Sequence, residues 1–289
     1  MAGLSGRLLK GSLLAVWALA GCAIQPKVPA PVAEMALIEV ALRAEGIDPS
    51  NSALIILRLE DEHVWSSGGA RIHERFTPAS TSKIPHTLIA YETGAVAGPG
   101  ERFTWDGQKR FLDSWNEDQD FATAFQRSTV WIYQIVVPRI GAEKLTAAFE
   151  AFDYGNAAIG GPELISRYWL EGPLAISAAE QAAFLSRLVR RTLPLSAETY
   201  AAAIPVMELA RGDGWALYGK TGWKSIEGEM DIGWFVGWAE QTAGEAPGTY
   251  VFALNMDMPG GMAEAPRRRA AVERALRSIG ALPAAPGSP

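Results

Sequence analysis

Strand-like text stands at both ends of this chain with helical text between, and that arrangement constrains the fold more than any single residue does. Ala53 to Leu59 is an apolar, β-branched run with the character of a strand. The same character returns late, at Ala216 to Thr221, Ile232 to Ala239 and Thr249 to Met256. In the middle, stretches such as Ala142 to Phe152 and Ala178 to Arg190 repeat apolar residues at helical spacing. One sheet must then draw strands from both ends of the sequence, with helices flanking it and a helical subdomain inserted. The expected fold class is α/β of the α+β type. A helix over Val32 to Glu45, closed by Gly46, precedes the first strand, and a last helix over roughly Pro266 to Leu276 carries Arg267, Arg268 and Arg269. From Ser80 onward the text turns helical, with Ser80 near the helix start.

The first thirty residues read as processing and tethering text rather than as fold. Arg7 and Lys10 form a basic start, and the apolar run Leu13 to Leu19 falls short of the ~20 residues a membrane-spanning helix needs. That run is an export signal. It ends in Leu19-Ala20-Gly21-Cys22, which resembles the lipobox of bacterial lipoproteins, where cleavage before the cysteine is followed by lipidation of its thiol. Cys22 is the single cysteine of the sequence, so no intrachain disulfide can form. The expected division is a signal over 1–21, a Pro-rich tether over 22–32, a catalytic domain over 33–280 and a flexible Pro/Ala/Gly tail over 281–289. The expected location is periplasmic, tethered to a membrane through Cys22.

Several chemistries are excluded by what the chain carries. A formal net charge of -6 gives no electrostatic reason to bind nucleic acid. The three histidines, His63, His73 and His86, form no metal-ligand pattern, and no G-x-S-x-G elbow presents a serine to any of them. They read as surface or packing residues. Gly214 to Thr221 satisfies the P-loop spacing, but its interior Trp215-Ala216-Leu217-Tyr218 reads as a strand and no helix follows. No metal and no nucleotide is expected.

One constellation remains. Ser80-Thr81-Ser82-Lys83 is the only S-x-x-K in the sequence. Residues three apart share a helix face, so Lys83 reaches the Ser80 hydroxyl. A serine is a weak nucleophile until a base takes its proton, and a lysine serves as that base only if burial lowers its pKa. Ser128-Thr129-Val130 offers a second hydroxyl with an apolar neighbour. Tyr154-Gly155-Asn156 follows at a helix end. Lys220-Thr221-Gly222 closes a strand, where the glycine lets a ligand approach the backbone.

With S-x-x-K, S-x-V, Y-G-N and K-T-G in this order, the chain resembles the class D, oxacillinase-type serine β-lactamases over roughly Leu59 to Gly280. Trp169-Leu170-Glu171-Gly172 and Gly233-Trp234-Phe235-Val236-Gly237-Trp238 match as well. The resemblance implies an antiparallel sheet with a helical subdomain, as in penicillin-binding transpeptidases. It implies small β-lactams as substrates, Ser80 as the nucleophile of an acyl-enzyme, and no cofactor beyond carbon dioxide, which reversibly carboxylates Lys83. Trp169 would hydrogen-bond that carbamate, and Val130 with Leu170 would wall it. Ser128 and Lys220 would relay a proton to the leaving nitrogen, and the Ser80 and Trp223 amides would form the oxyanion hole. Thr221 and Arg268 would hold the substrate carboxylate, with Gly222, Tyr154 and Asn156 also at the substrate site.

Two departures are expected to matter. Ser82 stands where the family usually has Phe, and Lys224 after Trp223 adds a charge to the strand lip. The rivals are a penicillin-binding D,D-peptidase, which Val130 and Trp169 oppose, and a non-hydrolysing β-lactam sensor, which would carry several transmembrane helices before the domain.

Overall fold

A computed structural model describes residues 32–244 and 246–284 of the protein. The signal, Cys22 and the tether up to residue 31 lie outside the described residues, and Val32 opens the first helix. The elements in chain order are α1 (Val32–Ala44), β1 (Ser52–Arg58), β2 (Val64–Ser67), α2 (Lys83–Glu92), β3 (Arg102–Phe103), β4 (Gln119–Asp120) and α3 (Phe121–Gln126). There follow α4 (Val130–Ile140), α5 (Ala142–Phe152), α6 (Ala178–Val189), α7 (Ala197–Val206), β5 (Glu208–Gly212), β6 (Trp215–Lys224), β7 (Ile232–Gln241), β8 (Gly248–Asp257) and α8 (Ala265–Ser278).

The strands from the two ends do join one sheet. Its order is β2-β1-β8-β7-β6-β5, antiparallel throughout, with β1 paired along its length to β8. Successive side chains of a strand point to opposite faces, and here both faces are covered. Ala53, Ile55, Val251 and Ala253 join the core beneath the helical subdomain, while Leu54, Ile56, Phe252 and Leu254 join the core under α1 and α8. Burial on both faces explains why the central strands read as continuous apolar runs. The edge strands β2 and β5 give no such signal, because each carries only two apolar residues in a row, Val64-Trp65 and Leu209-Ala210, and most of their side chains are partly exposed.

Gly46 adopts φ +70° and ends α1 as expected, a left-handed position that glycine takes without steric cost. The tail needs correction. Ala281 and Leu282 are buried in the core under α8, so the domain runs past 280 and a loose segment does not begin at 281. Composition alone misleads there, because two apolar residues are enough to dock the chain.

Candidate active site

The chain enters the site through a strained turn. Ala79 has φ +48°, a region that costs a non-glycine residue about 1 kcal/mol or more. Residues Ala79–Ser82 then form a 3₁₀ turn, and the α-helix proper begins at Lys83. Ser80 therefore sits ahead of α2 rather than in it. In 3₁₀ geometry residues three apart eclipse, which aligns Lys83 with Ser80 more closely than an α-helical turn does. The Lys83 Nζ donates to Ser80 Oγ at 2.9 Å.

Two hydroxyls fasten that turn. Thr81 Oγ1 donates to the Pro78 carbonyl at 2.8 Å, and Ser82 Oγ to the Ala79 carbonyl at 2.7 Å. Ser82 is fully buried. The hydroxyl that replaces the family's aromatic ring is thus satisfied by the strained residue's own carbonyl.

Lys83 is fully buried, and burial pushes its pKa well below the ordinary lysine range, with the Lys220 charge adding to the effect. Its Nζ lies 5.0 Å from the centre of the Tyr133 ring. Among the described residues no carboxylate offsets the burial, so the neutral amine is the favoured form. Trp169 is fully buried too, and its indole Nε1 has no hydrogen-bond partner among the described residues. An orphaned donor of this kind is costly unless a group arrives to accept from it.

The other wall is β6. A Cβ on Gly222 would fall 2.9 Å from the Pro78 carbonyl oxygen and 3.0 Å from Thr81 Cγ2. Only glycine lets the strand come this close to the Ser80 turn, and it brings Trp223 alongside. Lys220 Nζ donates to the Thr221 carbonyl at 3.0 Å. Burial, then the charge of Arg268, lowers the Lys220 pKa to about 7. Arg268, on α8, donates to the Gly222 carbonyl and, at 2.9 Å through Nε, to the Ala265 carbonyl. Burial brings its pKa down to about 10. A guanidinium has five N–H donors, so two carbonyls leave capacity for a ligand carboxylate. Thr221 is half-buried on the same strand.

Ser128 occupies the turn between α3 and α4 with φ +61°, a second non-glycine residue in the left-handed region. Its amide donates to the Phe125 carbonyl at 3.1 Å, and the Phe125 ring lies 5.9 Å from Lys220 Nζ. That chain of contacts sets the S-x-V turn beside the K-T-G strand. Val130, the first residue of α4, is half-buried, as is Leu170 next to Trp169.

Two assigned residues fall elsewhere. Tyr154 is fully buried, its hydroxyl accepting from Gln181 Nε2 at 3.3 Å, while the same nitrogen donates to Thr81 Oγ1 at 2.9 Å. It braces the back of the Ser80 turn and has no surface for a substrate. Asn156 is spent on backbone, donating to the Pro173 carbonyl at 2.8 Å and accepting from the Ala175 amide at 3.0 Å. Tyr154 has a scaffold role by this geometry, while Asn156 is exposed with its amide held by the backbone. Lys224 is also reassigned: it is buried against Glu229 and ties the β6–β7 hairpin, so it adds no free charge to the lip.

Over the site, Phe111 is 71% exposed and its ring lies 6.3 Å from that of Trp223. Trp223 Nε1 donates to Asp231 Oδ2 at 2.8 Å.

This architecture is that of the penicillin-binding protein transpeptidase domain, which the chain matches over residues 64–277. Among curated relatives, the β-lactamase OXA-15 of Pseudomonas aeruginosa is 44% identical over 217 residues, 75% of this chain and 74% of the relative. OXA-48 of Klebsiella pneumoniae is 35% identical over 73% of this chain and 77% of its own. Among solved structures, the class D β-lactamase YbXI from Nostoc superposes with a TM-score of 0.79 at 36% identity, covering 85% of this chain and 99% of that one. The chain belongs to the class D β-lactamases, serine enzymes that hydrolyse β-lactams.

Proposed function

We propose that hydrolysis runs through an acyl-enzyme on Ser80, with the Lys83 amine, carboxylated by carbon dioxide, as the base of the site. The observation that carries this reading is the Lys83 amine: fully buried, without an acid partner, and 2.9 Å from Ser80 Oγ. Carboxylation asks for a neutral amine, an enclosed setting and a donor for the new oxygens. Lys83 meets the first two, and the unpartnered Trp169 indole N–H fits the third. When bound, the group supplies a general base between Ser80 and the hydrolytic water.

The remaining roles follow from charge and placement. Ser80 Oγ attacks the lactam carbonyl, whose oxygen turns toward the amides of Ser80 and Trp223. Lys220, with a pKa of about 7, gives and takes a proton near neutral pH, and with Ser128 delivers one to the leaving nitrogen. Arg268 and Thr221 hold the substrate carboxylate, Arg268 by a charge-assisted bond. The export signal supports a periplasmic location with a lipid anchor at Cys22; mass spectrometry of the membrane fraction tests it through the lipid mass on that residue.

The enzymatic reading is tested with the domain from residue 23 onward and a chromogenic β-lactam, followed over many turnovers with and without bicarbonate. Sustained turnover that rises with bicarbonate supports it. One stoichiometric burst followed by silence would leave an acylated sensor or penicillin-binding protein instead.

A further inference from the structure

His86 lies one helical turn beyond Lys83 on α2 and is equally buried. Its ring meets Trp169 in a T-shaped contact at 4.9 Å and Tyr168 at 5.6 Å. Nε2 shares a 2.6 Å hydrogen bond with the Tyr168 hydroxyl. Phe149 and Tyr133 complete the enclosure at 5.8 and 6.4 Å, and Tyr133 is the same ring that faces Lys83 Nζ. Burial, then the nearby Lys83, holds His86 well below the usual imidazole range, so it adds no positive charge beside the amine.

Trp169 sits in a run of turns over residues 165–171 that neither helix nor strand supports. Turn bonds hold its backbone: the Arg167 and Tyr168 amides both reach the Leu164 carbonyl at 2.8 Å, and the Leu170 and Glu171 amides the Arg167 carbonyl at 2.9 and 3.2 Å, but among the described residues the Trp169 amide itself makes no such bond. A side chain on such a segment keeps its orientation through what it packs against. For Trp169 those partners are the Tyr168 ring at 5.1 Å and His86.

We propose that His86 is a positioning residue for the reaction: by packing against the Trp169 indole and bonding Tyr168, it fixes the indole N–H relative to Lys83 and so sets how tightly Lys83 holds carbon dioxide. This rests on the carboxylation of Lys83 proposed above. In that step the amine lone pair bonds to the carbon of carbon dioxide, one C=O pair moves to oxygen, and an amine proton leaves to solvent. The product is an anion whose oxygens need a donor already in place, because a buried segment that must reorganise gives back part of the binding energy.

The test compares wild type with His86→Leu, His86→Gln and Tyr168→Phe. Two quantities are read: the bicarbonate concentration that half-restores turnover, and the carbamate signal from ¹³C-bicarbonate by NMR. His86→Leu should raise the half-restoring concentration roughly five- to tenfold, the loss expected for one buried hydrogen bond and its contacts. Turnover should return toward wild type at saturating bicarbonate, with KM for the β-lactam little changed. Tyr168→Phe, which removes one hydroxyl and keeps the ring, should move the same way by less and serves alone if His86→Leu does not fold. His86→Gln, whose amide reaches the position of Nε2, should recover part of the loss. The proposal is overturned if the bicarbonate midpoint stays at the wild-type value, or if the lost turnover does not return at saturation. A wild-type enzyme with no carbamate signal and no bicarbonate response would overturn the Lys83 reading and this one with it.

Discussion

Lys83 and Lys220 are both buried lysines with lowered pKa values, and their surroundings send them to different work. Lys83 stands on a helix against an aromatic wall, with the Ser80 hydroxyl as its partner, and one turn further along that helix His86 packs against Trp169, whose buried indole N–H has no partner among the described residues. Lys220 stands on a strand, held by the Thr221 carbonyl and facing a second cation, Arg268. Enclosure pushes Lys83 toward the neutral amine, the form that the proposed carboxylation requires. Lys220 is left near pKa 7, charged or neutral as the reaction requires, beside a guanidinium that attracts anions. Burial alone lowers a lysine; the neighbours differ, and on the proposed mechanism that difference makes one a base and the other a proton relay beside an anion cradle.

Removing the nucleophile is the harshest way to test whether the Lys83 side of this pair carries the chemistry. Ser80→Ala should lower turnover on the order of 10⁴-fold or more while leaving reversible β-lactam binding measurable by titration. Lys83→Ala should cost on the order of 10²–10⁴-fold, the range of a lost general base, and bicarbonate should not restore it. Restoration by bicarbonate would show that the responsive amine lies elsewhere and break the comparison. On the Lys220 side, Arg268→Ala should raise KM roughly tenfold or more for substrates bearing the carboxylate, with a smaller effect on kcat, since it removes a charge-assisted contact. Equal loss for a β-lactam whose carboxylate is esterified would sink the anion-cradle role.

Most of this site is legible in the sequence because its parts are local or fixed by strand ends. Ser80 and Lys83 are three residues apart, and Lys220 to Gly222 share one strand whose apolar pattern announces it. What is not legible depends on contacts distant in sequence. Tyr154 belongs to a conspicuous motif, yet its hydroxyl is bound by Gln181, 27 residues away, and only the fold reveals that it faces inward. His86 reads as packing, although its spacing from Lys83 is the signal that ties it to the site. The left-handed Ala79 and Ser128 carry no residue-type cue, because alanine and serine take that conformation only under constraint from their surroundings. The fold follows the same rule. The central strands, covered on both faces, are legible, and the half-exposed edges β2 and β5 are not.

The gentlest test reads the Lys220 side through stability. Its pKa falls from 10.5 to about 7 on folding, chiefly through burial, so between those values the unfolded chain binds more protons than the folded one. Stability therefore rises with pH across that window: the cost of burying the charge is complete below the folded value and gone above the unfolded one. Lys220→Met, of similar length and without charge, removes that cost. At about pH 6 the variant should be more stable than wild type by about 1 kcal/mol or more, some 2–4 °C in Tm for a chain of this size. As the pH is raised toward the unfolded value, the gap between the two melting temperatures should close, in thermal scans made at matched ionic strength. A difference that stays constant with pH would mean that the methionine packs better for reasons unrelated to charge, and that Lys220 is not the strained cation that sets it apart from Lys83.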